Sequence, residues 1–220
     1  VFEVLNSGSE FNLTGGDFSV ERENGSSTVG ALLLDPATSD VTGSTITIGG
    51  AGTPANQDDI GINSAIALNN LVVTGNNSLT AKLFVNNLEV NDVTVNTGGT
   101  LDANGRDLTV NGDMEVDGLY TTSGTQLNNQ TTTFILGVAQ EISGTGTSNF
   151  FNLDMTGSNT LTVSKDVTVE NQLNVLDGTI ATGTNAVNVE GDVVHDGTHT
   201  SAVAGPGIVF SGNSKQNLTR

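Results

Sequence analysis

The chain has 220 residues, and its 24 acidic side chains oppose only 6 basic ones for a net charge of −18. Such a surface repels phosphate backbones and anionic lipid, and the six basic residues form no patch, so nucleic-acid binding and membrane insertion are both excluded. The absence of Cys removes disulfides and thiolate metal centres, and no apolar run is long enough to span a bilayer.

What remains is a chain with 35% apolar residues, mostly Val, Leu and Ile, with 28 Gly and no Trp. That mixture favours short strands joined by many turns. The first residue is Val1, not Met, which reads as a processed or excised piece. In chain order, "FNLTGGDFSVERENG" (11–25) and "GSTITIGG" (43–50) predict strands in weak register. "GGAGTPANQDDIG" (49–61) predicts a long loop projecting from the fold. Residues 1–60 are accordingly read as irregular first coils and 61–220 as regular repeats of one continuous elongated domain.

From position 60 onward, short segments alternate apolar and polar residues: "NLVV" (70–73), "NLEV" (87–90), "DLTV" (107–110), "DMEV" (113–116), "TLTV" (160–163), "QLNV" (172–175), "AVNV" (186–189). A period of two places the apolar residues on one face of a strand. No stretch has the spacing of an amphipathic helix, so the class is all-β. "NLEV" starts at 87 and "DLTV" at 107; "DVTV" (166–169) and "AVNV" are separated by the same interval. A coarser repeat aligns 87–118 on 166–197 without gaps, keeping Val90, Gly99, Gly112, Asp113, Asp117 and Gly118 as identities. Strands that return at an interval of about 20 suit a parallel β-helix, whose coils cannot bury their apolar residues alone and therefore stack. A pair of antiparallel sandwiches, with strands spaced by about 8–12 residues, gives no place to that period. On this reading Phe134 and Phe210, each six positions before a Gln (Gln140, Gln216), occupy equivalent core positions.

"FSGNSKQNL" (210–218), "FFNLDMTG" (150–157), "LTVSKDVTVENQLNVLDGTIATG" (161–183) and "FILGVAQEI" (134–142) resemble repeats of very large cell-surface and secreted proteins of Bacteroidetes, exported by the type IX secretion system. The resemblance covers about 60–220, and more loosely 1–60. It implies an adhesin-like β-solenoid at the cell surface or outside the cell, a signal peptide and C-terminal sorting domain not in this chain, and flanking repeats of the same polypeptide as partners, with surface glycans or secretion machinery as further ones. It is a style of repeat, so it speaks to fold and location before activity.

Candidate sites are sparse. Asp113, Glu115 and Asp117, followed by Gly118, look like the opening of a calcium loop. Position twelve of that loop is Gly124 instead of Glu, so no EF-hand forms. The plainer reading is an outer strand face with Met114 and Val116 turned inward, and calcium is the only cofactor the sequence suggests. His195 and His199, the only two His, sit four apart across a Gly turn without a third zinc ligand. Strict alternation after Val193 turns His195 inward, where Val116 sits in the first copy, whereas a slipped corner turns Val194 inward instead. Gln57, Asp58 and Asp59 lie in the expected loop, where paired carboxylates suit glycoside hydrolysis, but adjacent acids in a loop are ordinarily solvated. No nucleophile elbow or phosphate loop is present. The sequence thus predicts a non-catalytic structural or adhesive segment. The alternative is a carbohydrate-active or carbohydrate-binding β-helix module, which one Tyr and no Trp support poorly. Isolated "TIT" (45–47) and "TTT" (131–133) make no ice-binding ladder.

Overall fold

The computed structural model describes residues 1–23, 30–55, 59–123 and 130–220. Its strands pair in parallel throughout, in stacked turns roughly 21 residues apart. The one helical element among the described residues is a 3₁₀ turn, Asn76–Ser78. No described helix is long and apolar enough to cross a membrane.

Each regular turn runs over three faces. The first face stacks Ile60–Ser64, Thr80–Leu83, Thr100–Asp102 and Leu119–Thr121, and ends in Ala186–Val189 and Gly207–Phe210. The second carries Leu108–Val110, Thr131–Ile135 and Asp192–His195. The third carries Thr45–Ile48, Met114–Val116, Gln140–Ser143, Thr160–Val163 and Thr198–Ser201. Alternation then fills the interior with columns, because equivalent residues lie one strand spacing apart, about 4.8 Å. One column reads Val90, Val110, Phe134, Met155, Val175, His195. Another reads Leu88, Leu108, Thr132, Leu153, Leu173, Val193.

The weak register of segment 1–60 has a plain cause. Phe2 pairs with Leu32 and Leu32 with Ile62, whereas a later turn runs only from Thr80 to Thr100. The first turns are therefore half as long again as the regular ones. The expected loop at 49–61 is held closely over its described part. Gly52 N donates to Glu21 Oε1 at 3.2 Å, and Asn77 Nδ2 donates to Thr53 O at 2.7 Å.

The coarse repeat corrects one expectation. In the first copy the phrase begins on the second face, where Leu108 stacks on Leu88. In the second copy it begins on the first face, where Val187 stacks on Val167. The two copies are offset by about a third of a turn and do not stand one above the other. The phrase encodes a strand, a corner and a strand, and the three corners of the prism are alike enough to accept it. Phe134 and Phe210 follow the same rule. Phe134 rests on Val110 and Phe210 on Val189, equivalent members of the two phrases. They sit on different faces, however, and Phe134 is fully buried while Phe210 is 45% exposed. The cause is that Met155 covers Phe134 from the next turn, whereas Phe210 lies in the last strand of its face. Both Gln side chains bond turn carbonyls, but different ones: Gln140 Nε2 donates to Ile135 O, and Gln216 Nε2 to Val189 O and Gly191 O.

Candidate functional site

The acidic side chains carry the most distinctive geometry. Asp92 Oδ1 accepts from Asp113 N, and Asp113 Oδ1 accepts from Glu141 N, both at 2.8 Å. Asp117 Oδ1 accepts from Thr145 N at 2.8 Å and from Thr145 Oγ1 at 2.9 Å. Asp107 takes Thr131 N, Asp102 takes Ser123 N, Asp166 takes Ala186 N and Asp192 takes Asn217 N, at 2.7–2.9 Å. In each of these bonds the carboxylate belongs to one turn and the N–H to the next. Side-chain amides also bridge the turns: Asn104 donates to Leu83 O, Asn152 to Gln130 O and Asn185 to Val163 O. Strand ends leave backbone N–H groups outside the ladder, and a short acceptor one turn below satisfies them. The bonds from Thr145 hold the Asp117 carboxyl below the usual carboxylate range, and those from Asn217 do the same for Asp192.

The candidate calcium ligands are therefore spread along a strand. Asp113 and Asp117 flank Met114–Val116, and that extended stretch separates them by about 13 Å. Glu115 lies between them on the exposed outer side, level with Thr94 and Ser143. Among the described residues no three His, Asp or Glu come together in a way that could hold a metal ion.

Of the loop candidates, Gln57 and Asp58 lie outside the described residues. Asp59 Oδ2 meets Lys82 Nζ at 3.2 Å, and Lys82 also lies 3.7 Å from the nearly buried Asp102. Sequence reading missed this group, although the spacings from 59 to 82 to 102 are each about one turn and were the available signal. The ammonium of Lys82, set between the carboxylates of the preceding and following turns, is a charge clamp across three turns.

His195 faces inward above Val175, as alternation requires, and His199 occupies the interior column above Ile180. His199 Nε2 lies 3.2 Å from Thr182 Oγ1. Burial, aided by nearby His195, holds its imidazole below the ordinary value. Both rings line a recess of roughly 470 Å³ at the C-terminal end, with Phe210 and Leu218.

Two buried polar groups were not anticipated. Tyr120 is fully buried, and its hydroxyl lies 2.6 Å from Thr132 Oγ1. Desolvation pushes its phenol well above the ordinary value. Thr132 breaks a column of Leu at this one level to meet it. Lys165 is 7% exposed, and its ammonium donates to Val116 O at 3.0 Å and Ser148 Oγ at 3.2 Å. Desolvation lowers its pKa, opposed by the charge of Asp117. Neither group opens on a described cleft. Compared with protein-family models, curated proteins and solved structures, the chain matches none.

Proposed function

We propose that this chain is a non-catalytic structural segment, a rigid β-solenoid spacer with an adhesive role in a bacterial cell-surface or secreted protein. The observation that carries this reading is the employment of its acids. Among the described residues, seven Asp carboxylates accept backbone N–H groups of the following turn. Catalysis by carboxylates instead needs a pair converging on one substrate atom. A net charge of −18 keeps such a rod dispersed and repels its neighbours laterally. The style of the repeats, resembling exported proteins of Bacteroidetes, supports an extracellular place, with flanking repeats, surface glycans or secretion machinery as its contacts. The test is a screen of acidic and neutral polysaccharides for both binding and cleavage, alongside antibody labelling of intact producing cells. Surface labelling without cleavage is expected. Turnover lost on Asp59→Asn would transfer the chain to the carbohydrate-active class.

A further inference from the structure

One stretch of the rod's flank is apolar. On the outer side of the second face Ile135 pairs with Thr156 of the next turn. Thr156 in turn lies level with Leu176, because Met155 pairs with Val175. Ile135 and Leu176 are 43% and 42% exposed, and Val138, in the corner after Ile135, is 61% exposed. Outward positions of a half-solvated sheet ordinarily carry polar groups, so three large apolar side chains on neighbouring levels mark a contact surface. The corner beside them is bare and firmly held. Gly137, Gly157 and Gly178 occupy it. Gly157 and Gly178 pack against the carbonyls of Leu136 and Asn159, and Asn159 Nδ2 donates to Leu136 O and Gly137 O, both at 3.0 Å. The apolar row is therefore rigid and open to close approach.

The charge around the row has one sign. Asp177 follows Leu176, and Asp196 lies level with Leu176 one turn on, because Val175 pairs with His195. Asp154 stands two positions before Thr156 on the same outer side. Burial pushes its carboxyl above the usual carboxylate range, against the bond from Asn174, and among the described residues the only ion pairs are those of Lys82. Between Arg106 and Lys215 the chain has no Arg and a single Lys, Lys165, which is buried. A second copy meeting this row would bring like charges together, whereas a basic partner would bring the cations it lacks. We propose that the row is a docking surface for a basic amphipathic segment of another protein, whose apolar side covers Ile135, Val138 and Leu176 and whose Lys or Arg groups meet Asp154, Asp177 and Asp196. The apolar contacts supply affinity, and the opposed charges select the partner and speed its approach. An amphipathic helix laid along the row is the simplest such segment. The inference goes beyond the spacer reading and does not depend on it, since a polysaccharide screen is blind to a peptide.

The test is fluorescence anisotropy of the full chain with a labelled helical peptide of Leu and Lys, its Leu residues along one side. A Leu–Glu counterpart and an oligolysine of equal charge are the comparisons. The Leu–Lys peptide should bind at least about tenfold more tightly than either. Val138→Ser/Leu176→Ser should weaken that binding at least about tenfold. Asp154→Asn should weaken it and flatten its salt dependence. Val85→Ser, at a side chain 52% exposed in the corner before Leu88, should leave it unchanged. Circular dichroism and urea midpoints of each variant check the fold. Oligolysine binding as tightly as the Leu–Lys peptide, or a double variant that binds like the parent, overturns the proposal in favour of charge alone. Equal binding of the Leu–Glu peptide overturns the role of the carboxylates. Absence of binding by the Leu–Lys peptide overturns the proposal outright. So does self-association of the chain in sedimentation velocity that the double variant abolishes, which would assign the row to a second copy.

Discussion

Replacing Phe134 by Ala tests the column architecture most directly. The ring is fully buried between Val110 below and Met155 above. Losing it forfeits the transfer term of a buried Phe, about 1.5–3 kcal/mol. A cavity term adds to that, for a usual total of about 3–5 kcal/mol. The upper half of that range applies, because strand pairing fixes the turns about 4.8 Å apart and the walls cannot close on the void. Phe210→Ala supplies the control. That ring rests on Val189 but is 45% exposed, so it loses about half the transfer term and leaves no closed cavity, about 1 kcal/mol. The difference of about 3 kcal/mol is two orders of magnitude in the unfolding equilibrium, readable as a shift in urea midpoint at constant slope. Solenoids can also open in sections, so amide exchange at Val110 and Met155 should accelerate in the Phe134 variant and remain unchanged in the Phe210 variant. Equal midpoint shifts for the two variants, or a Phe134 cost below about 1 kcal/mol, would refute the reasoning.

Four further outcomes are expected. A Cβ at Gly118 would overlap the carbonyl oxygens of Gly99 and Asn96, so Gly118→Ala should lower the thermal midpoint, whereas Gly137→Ala, with open space around it, should not. Tyr120→Phe removes a buried hydroxyl from Thr132, which keeps its bond from Gln130, and should cost about 1 kcal/mol by urea titration. The carboxyls of Asp117 and Asp192 are depressed by backbone bonds, so their stabilisation is present above the unfolded value of 3.8 and disappears as pH falls through the lower folded value; Asp117→Asn should flatten that acid limb. Glu170 is raised by burial and by Glu190, the opposite sign. Its cost is present above its folded pKa and is gone below the unfolded 4.5, so Glu170→Gln should stabilise at neutral pH and lose that advantage in acid.

The class, the parallel stacking and the period were legible because alternation and a regular return of like phrases leave few alternatives. The column Val90, Val110, Phe134, Met155 could not be read, because the turn from Val110 to Phe134 is longer than the one from Val90 to Val110 and breaks the period. Which face a phrase occupies was hidden for a deeper reason: "DLTVNGDMEVDG" specifies local bends, and local bends recur at every corner. The role of Asp113 and Asp117 was hidden in the same way. Their partners, Glu141 and Thr145, each lie 28 residues away, outside the regular period, so an outward carboxylate looked merely solvated. Lys165 departs from the rule that a Lys in a polar corner stays in water, because a carbonyl and a hydroxyl await its ammonium inside.

The one-way run of carboxylate bonds has a consequence for how the chain is made. Each acceptor sits on the earlier turn and its donor is supplied later. A polypeptide emerging from its amino end therefore lays down these seven carboxylates before the backbone N–H groups that need them. Each finished turn becomes a template whose carboxylates catch the incoming backbone. These side chains thus give the stack a direction of assembly, aligned with the order of synthesis.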